Sequence, residues 1–257
     1  MLQQYIRGFG RKKPPPSARI NWEHPLSRGL TGCWLFNGDR GFDYTLRSRF
    51  LSPTGNPLYV PSDHGGVSTR LLASSSQYWS SADSPVLSTG DIDFFFVALV
   101  DLASKPANVM TILSKEDSIA SAAEYRMEWR NTTDRFRFII FNSAGGATGV
   151  AADALGVPSV GKLYFVMVWH DSIANTINIQ VNNSATNSAA EGIAIVDSTA
   201  TFRIGALSTG TVSNFWNGRV AGVWFWKRRL LSLSDRLWLQ NEPFEMFQQP
   251  ITRTWFV

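Results

Sequence analysis

The chain has 257 residues, of which 44% are hydrophobic and 17% are charged, so it is long enough to bury a large core without disulfides or metals. Its formal net charge is +4, but residues 1–22 carry five basic side chains and no acid, which leaves −1 on the rest. This balance argues against a domain-wide nucleic-acid or membrane surface. The single cysteine, Cys33, excludes an internal disulfide and a thiolate metal cluster.

Residues 1–22 are predicted to form an N-terminal arm, in which a basic patch precedes a polyproline segment. Two interpretations stay open: a disordered leader, or a docking strap that orders on a partner or on a sister subunit. The residues predicted to carry the docking are Arg11, Lys12, Lys13, Pro14, Pro15 and Pro16. We see no secretory signal and no apolar run of membrane-spanning length, so we expect synthesis in a cytoplasm.

Short apolar segments follow the arm at intervals of about 8–15 residues, a spacing typical of an all-β sandwich or barrel. Many of them alternate apolar and polar side chains, the signature of half-buried strands. The predicted strands are 31–36, 69–73, 77–80, 92–102, 108–114, 125–130, 135–142, 163–171, 176–182, 193–196, 201–206 and 215–226. A turn at 131–134 predicts a hairpin, and Ser232 to Asp235 predicts the start of a helix of about two turns.

The segment 215–226 is apolar on both faces. Trp224 and Trp226 share one parity with Val220, whereas Val223 and Phe225 take the other. A strand of this kind is either central in its sheet or covered by another chain.

Two stretches resemble one known family. Asn21, His24 to Leu26, Gly29-Leu30 and Trp34 to Asn37 look like the start of laminin-G-like domains in bacteriophage virion proteins. Ile204-Gly205, Phe215 to Trp226, Arg229 to Ser232 and Leu237 resemble the C-terminal end of the laminin-G-like, concanavalin A-like lectin/glucanase superfamily. The resemblance spans about residues 29–242.

This resemblance implies a jelly-roll β-sandwich of two antiparallel sheets, with one short C-terminal helix and an extended N-terminal arm. It divides the chain into the arm and the loop into the first strand (1–28), the sandwich (29–242) and an apolar C-terminal tail (243–257). We expect the tail either to pack on its own domain or to anchor a neighbouring subunit through Trp255 and Phe256.

Glucanases of this superfamily resemble one another in an E-x-D-x-E strand, and the nearest segment here, Glu124 to Glu128, lacks the aspartate. Carboxylates four residues apart on a strand lie about 13 Å apart, whereas retaining hydrolysis needs about 5–5.5 Å. Arg126 and Arg130 share their face and are candidates to pair with them. Because no hydrolase or phosphate-binding motif occurs either, and His170-Asp171 is interpreted as a strand-end turn, we predict that the protein is not an enzyme.

Laminin-G-like domains often bind Ca²⁺ at the rim of the sandwich, so the resemblance leaves a structural calcium ion open; we expect no other cofactor. Calcium requires six to eight oxygen ligands, and the loop acids are scattered singly, so no ligand set is predicted. These acids are Asp39, Asp43, Asp63, Asp83, Asp117, Asp134, Asp153, Asp171 and Asp197.

Sugar binding requires exposed aromatic rings beside polar loop groups. The candidate platforms are Trp79, Trp129, Trp216 and Trp226, although most tryptophans of such a chain are expected in the core or at a subunit interface.

These observations lead to two functional hypotheses. The resemblance implies a non-enzymatic virion structural protein, either capsid decoration or a fibre or tail component. Such a protein would be an oligomer that contacts major capsid or tail proteins through its arm and sandwich edges, and it would be located in the virion. The alternative is a carbohydrate-binding, lectin-like module that recognises a host surface glycan.

Overall fold

The structure is a computed structural model that describes residues 8–38, 41–46, 50–117 and 123–249. In these residues two large antiparallel sheets stack face to face and a single α-helix follows them, which confirms the predicted fold class. No helix within these ranges is long and apolar enough to cross a membrane.

The strands of the described residues are short, and most of them are joined by turns. In chain order they are β1 (Arg19–Ile20), β2 (Leu30–Trp34), β3 (Ser52–Thr54), β4 (Leu58–Pro61), β5 (Val67–Leu71), β6 (Tyr78–Ser81), β7 (Phe94–Asp101), β8 (Met110–Glu116), β9 (Ala123–Arg130), β10 (Arg135–Phe141), β11 (Ala147–Ala151), β12 (Leu163–Asp171), β13 (Thr176–Val181), β14 (Asn187–Ala190), β15 (Phe202–Ile204), β16 (Leu207–Ser208), β17 (Val212–Ser213), β18 (Gly218–Lys227) and β19 (Phe247–Gln248). Two 3₁₀ turns, Pro25–Ser27 and Ala73–Ser75, and helix α1 (Leu233–Asn241) complete the described elements.

The two sheets divide these strands by topology. The seven-stranded sheet has the order β11-β10-β9-β8-β15-β6-β3, and the eight-stranded sheet has the order β14-β13-β12-β7-β18-β5-β4, with β2 also paired to β18. β1 pairs with β19, so the N-terminal arm and the C-terminal tail form a small ribbon of their own.

The core lies between the two sheets and is built by the alternation of side chains along each strand. On β7, Phe94 and Phe96 point into this core, whereas Phe95 lies on the opposite, outer face of the sheet. Phe96 stacks on Phe225 of β18 with ring centroids 4.1 Å apart and planes 4° from parallel. Both faces of these strands are buried, which explains why their sequences are apolar throughout.

Strand β18 contains a bulge, after which the side chains that face the core are those of the opposite alternation. The register with β7 shifts between Val220 and Gly222, so Val220 joins Val223 in the core between the sheets. Trp224 points outward instead, although its parity equals that of Val220. The extra residue of the bulge reverses the alternation at this point.

Helix α1 begins as predicted and is slightly longer than two turns. The Ser232 hydroxyl accepts a hydrogen bond from the Asp235 amide at 3.1 Å, and the Asp235 carboxylate accepts one from the Ser232 amide at 3.2 Å. This reciprocal capping box satisfies two amides that a helix leaves unpaired at its start.

Most predicted strands are present, and the segment 163–171 has the predicted bounds. The strand predicted at 193–196 is wrong: these residues form no strand, and Ile195 packs into the core from a loop. Its apolar side chains therefore reflect burial rather than pairing with a neighbouring strand.

The outer face of the eight-stranded sheet is covered by segments of the same chain. Leu239 of α1 and Phe244, Met246 and Phe247 of the tail are buried against it. Ile20 of the arm packs into the same cluster. The apolar outer face of β18 is thus both central in its sheet and covered by its own chain, which accounts for its composition.

Candidate functional site

The four predicted glycan platforms are wrong, because all four indoles are buried. Trp79 and Trp129 are 2% exposed, and Trp216 and Trp226 are fully buried. Their indole nitrogens include donors to internal partners: that of Trp129 donates to the Asp134 carboxylate at 2.9 Å. A ring enclosed between layers has no face to offer a sugar, so the alternative expectation of core tryptophans holds for these four.

The arm is not a free docking strap over its described part, residues 8–22. Lys13 is 3% exposed, its amide donates to the carbonyl of His64 at 2.8 Å, and its ammonium group donates to the carbonyl of Val67 at 2.5 Å. The carbonyl of Pro14 accepts a hydrogen bond from the Asn37 side chain. The arm therefore packs on its own domain, and its β1 also pairs with β19 of the tail.

The carboxylate of Glu245 in the tail reinforces this docking. It accepts a hydrogen bond from the amide of Gly10 at 3.0 Å, and the Arg11 guanidinium donates to the carbonyl of Asn241 at 2.7 Å. Of the six predicted docking residues, Arg11, Lys12 and Pro16 remain exposed. The predicted interface residues Trp255 and Phe256 lie outside the described residues.

A groove lies where the arm, the loop 42–46 and the tail meet. It has a volume of about 580 Å³. Its lining includes apolar side chains and, at the rim, groups that can form hydrogen bonds. The lining residues are Pro16, Ser17, Ala18, Arg19, Ile20, Trp22, Phe42, Tyr44, Thr45, Leu46 and Gln248.

Trp22 is the exposed indole of this groove. It is 45% exposed, whereas Tyr44 is 4% and Ile20 is 3% exposed. Phe42 and Tyr44 meet edge to face with ring centroids 5.2 Å apart, so the neighbouring aromatic side chains hold each other in place. An aromatic surface beside a few polar groups in a concave site is the usual composition of a small-molecule site.

The polar rim of the groove comes from the ribbon of arm and tail. Arg19 and Gln248 are register partners in the β1–β19 pair, which puts an exposed guanidinium beside a half-buried amide. Asp43 fixes the loop 42–46, because its carboxylate accepts hydrogen bonds from the Cys33 amide at 2.9 Å and from the Thr45 hydroxyl at 2.7 Å. The groove is therefore assembled from segments far apart in the chain.

The outer face of the seven-stranded sheet is a second, flatter surface, and arginines dominate part of it. Glu128 of β9 is 1% exposed, and its carboxylate is 2.8 Å from Nε of Arg126, 3.8 Å from Nη1 of Arg137 and 4.0 Å from Nη1 of Arg130. Burial lowers the pKa of Arg137, and the Glu128 charge partly offsets this. The Arg137 guanidinium lies directly against Gly149, where any Cβ would overlap it.

A shallow hollow of about 360 Å³ opens beside these arginines. It is lined by Arg130, Thr132, Thr133, Arg137 and Ala151, and contains no aromatic ring. Its guanidinium groups could bind hydroxyl or carboxylate oxygens in pairs, but the stacking surface of the Trp22 groove is missing.

Comparison with known families agrees with this architecture. The model of the family Laminin_G_3, described as belonging to the concanavalin A-like lectin/glucanases superfamily, matches residues 74–233. The chain belongs to this superfamily. No match was found among curated protein sequences.

Solved structures with the same fold include a domain of an enzyme and a binding domain of a toxin. Domain 4 of AbnA, an extracellular GH43 arabinanase from Geobacillus stearothermophilus, in complex with arabinotriose, is 12% identical with a TM-score of 0.59, over 82% of this chain and 93% of that one. The binding domain of botulinum neurotoxin DC, in complex with SialylT, is 13% identical with a TM-score of 0.62, over 84% of this chain and 52% of that one.

The sialidase of Trypanosoma rangeli is a further example. It is 16% identical with a TM-score of 0.57, over 83% of this chain and 33% of that one. The chain thus spans about half of the toxin domain and a third of the sialidase. At these identities the likeness is one of fold.

The two glutamates that are nearest to a glucanase motif have different environments. Glu124 is fully buried, lies 2.8 Å from the ammonium group of Lys115 and accepts hydrogen bonds from the Thr89 and Gly90 amides. Glu128 pairs with Arg126 and Arg130, as the sequence indicated. The Lys115 partnership was not predicted; the pairing of β8 with β9 contains two register shifts, one of them between Lys115 and Glu116.

Most of the loop acids considered for calcium have partners within the chain. Ion pairs join Asp63 to Arg219, Asp83 to Lys115, Asp117 to Arg203, Asp134 to Lys105 and Asp153 to Arg135. The Asp171 carboxylate accepts hydrogen bonds from the amides of Ile173 and Ala174, which agrees with the interpretation of His170-Asp171 as a strand-end turn. Asp39 lies outside the described residues. Each of these six acids thus has a partner within the part of the chain that the structure describes.

Sequence reasoning missed Trp22 as a candidate platform. Its position next to the basic arm associates it with a docking segment, and no local pattern tells which of ten tryptophans is exposed. Its polar neighbours Asn21 and Glu23 do not distinguish it, because the buried Trp129 also lies between two charged residues, Glu128 and Arg130.

Proposed function

We propose that this protein is a non-enzymatic carbohydrate-binding module and that it binds a short oligosaccharide in the Trp22 groove. The observation that carries the proposal is a 45% exposed indole that lines a groove of about 580 Å³ with hydrogen-bonding groups beside it. A sugar ring presents an apolar face to an aromatic side chain while its hydroxyls reach polar groups, so such a site suits it.

The architecture of the neighbours supports the same proposal. Two of the similar domains carry arabinotriose and SialylT in their structures, so this fold is compatible with saccharide recognition. The groove here is made by the arm, the loop 42–46 and the tail, all outside the family match at 74–233. Its specificity would therefore be particular to this chain.

The non-enzymatic part of the proposal is supported by the environment of the two glutamates. Glu124 is enclosed with Lys115, and Glu128 is surrounded by arginines. Both carboxylates are also buried, Glu124 fully and Glu128 to 1% exposure, so neither faces a cleft where a substrate could reach it.

The virion role predicted from the laminin-G-like resemblance stays a prediction, together with its capsid or tail partners, its oligomeric state and its location. The docking part of this role is weakened, because the arm that was predicted to dock packs on its own domain over residues 8–22. A saccharide-binding module can itself serve as the adsorption part of a particle, so the two roles are compatible.

The test is a glycan array followed by calorimetric titration of the strongest oligosaccharide. We expect saturable binding that falls at least about tenfold in Trp22→Ala, the loss typical of a central aromatic contact, and that is largely retained in Trp22→Phe. Arg130→Ala, on the other surface, is the matched control and should bind as the unaltered protein does. If Arg130→Ala weakens binding and Trp22→Ala does not, the site is wrong; if no glycan binds, the function is wrong.

A further inference from the structure

Three side chains with atoms that can ligate a metal ion meet at one end of the sandwich, away from the groove and from the arginine surface. Asp91 lies in the loop before β7, His170 is the penultimate residue of β12, and Glu191 directly follows β14. One ligand atom from each of the three lies within 4.8 Å of the others. The imidazole Nε2 of His170 contacts Oε2 of Glu191 and is 3.7 Å from Oδ1 of Asp91.

The other imidazole nitrogen fixes the orientation of the ring. Nδ1 of His170 is 2.8 Å from the carbonyl oxygen of Ile92, and a carbonyl can only accept, so Nδ1 carries the hydrogen. In the neutral imidazole the lone pair of Nε2 then points at two carboxylates. A backbone carbonyl on the remote nitrogen is the arrangement that orients metal-ligating histidines.

The carboxylate of Glu191 has an unsatisfied oxygen at this point. Its side chain is 4% exposed, and Oε1 is buried without a hydrogen-bond partner. Within the described ranges neither Asp91 nor Glu191 pairs with a lysine or an arginine. A buried oxygen of this kind is costly unless a cation or a donor satisfies it.

We propose that Asp91, His170 and Glu191 bind a divalent transition-metal ion, with Zn²⁺ as the representative. Imidazole and carboxylate ligands suit such ions, whereas calcium requires six to eight oxygens. Three protein ligands leave a fourth tetrahedral position for water. Asp91 is 48% exposed, which gives the ion a route from solvent.

The backbone around the three ligands is already held in place. Oδ1 of Asp93 accepts hydrogen bonds from the amide and the hydroxyl of Ser172, and the amide of Glu191 donates to the carbonyl of Asn175 at 2.7 Å. The ion would connect the start of β7, the end of β12 and the segment after β14. It would thus act as a clip that stabilises this end of the sandwich by mass action.

The experiment is a calorimetric titration of the whole protein with Zn²⁺, combined with thermal unfolding and with the absorption spectrum of the Co²⁺-loaded protein. We expect one ion per chain and a higher melting temperature, because an ion that binds only the folded chain stabilises it. Asp91→Asn should weaken binding by at least about tenfold, because even residues behind the ligands contribute about 10–100-fold. This variant alters a half-exposed side chain, so it is expected to fold.

Glu191→Gln is the second variant, and His64→Gln is the control for binding by an unrelated histidine. The proposal is supported if Asp91→Asn and Glu191→Gln both lose affinity while His64→Gln keeps it. It is overturned if none of the metals binds with saturation, if Ca²⁺ binds more tightly than Zn²⁺, or if Asp91→Asn binds Zn²⁺ as tightly as the unaltered protein. None of these outcomes depends on the glycan proposal.

Discussion

Replacing Phe244 with alanine should release the arm and the tail from the sandwich. The ring is fully buried, with its centroid 6.0 Å from that of Trp224 and 5.7 Å from that of His64. The Phe244 amide donates to the carbonyl of Gly10 at 2.9 Å, so the ring and the arm are held at the same point.

The magnitude follows from the burial of the ring. Deleting a fully buried phenylalanine side chain costs about 3–5 kcal/mol. If about 3 kcal/mol of this appears as easier opening of the arm and tail, the open population rises roughly a hundredfold. Cleavage that requires opening then accelerates in proportion, provided that closing is faster than cleavage.

Limited trypsin digestion followed by mass spectrometry measures this opening. Within the described part of the arm the sensitive bonds follow Arg11, Lys12 and Arg19, while Pro14 protects the bond after Lys13. Ile173→Ala is the control, because this side chain is 90% exposed and its loss should change stability by less than about 0.5 kcal/mol. If the unaltered protein is cut in the arm as fast as Phe244→Ala, the arm is not docked and the groove that it builds does not exist in solution.

Three further predictions concern stability, each measured by denaturant unfolding. Burial opposes ionisation of Asp117, but hydrogen bonds from Thr201 and Arg203 outweigh it and lower the pKa of this carboxyl group. The stabilisation that ionised Asp117 provides is therefore complete above the unfolded-state pKa and disappears as the pH falls through the folded-state pKa. Asp117→Asn should flatten the plot of unfolding free energy against pH on the acid side, and an unchanged slope of this plot would contradict the prediction. Lys115→Met leaves Glu124 buried without its cation and should lower the free energy of unfolding by about 3–5 kcal/mol. The double variant with Glu124→Gln should restore much of this loss, and equal instability of the single and double variants would contradict the pairing. Gly205→Ala introduces a Cβ at φ +94°, where it would overlap the Leu71 side chain, and should cost at least about 1–3 kcal/mol; a neutral result would contradict the backbone conformation.

Sequence alone determined the fold class of this protein, because the information for it is local. Period-2 alternation at 135–142 and 176–182 specifies strands whichever partner they take. The capping residues Ser232 and Asp235 are three positions apart and specify a helix start without reference to the rest of the chain. The absence of an aspartate between Glu124 and Glu128 was equally readable from the sequence.

The candidate sites depended on tertiary structure, because their residues are brought together from distant parts of the chain. Trp22 and Gln248 line one groove although 226 positions separate them. Asp91 meets Glu191 only because the start of β7 and the ends of β12 and β14 lie at the same rim. Whether a tryptophan is a platform or a core residue is decided by the layer that covers it, and here the chain's own arm and tail are part of that cover. A burial pattern of this kind is a property of the packed layers, so no local sequence signal could supply it.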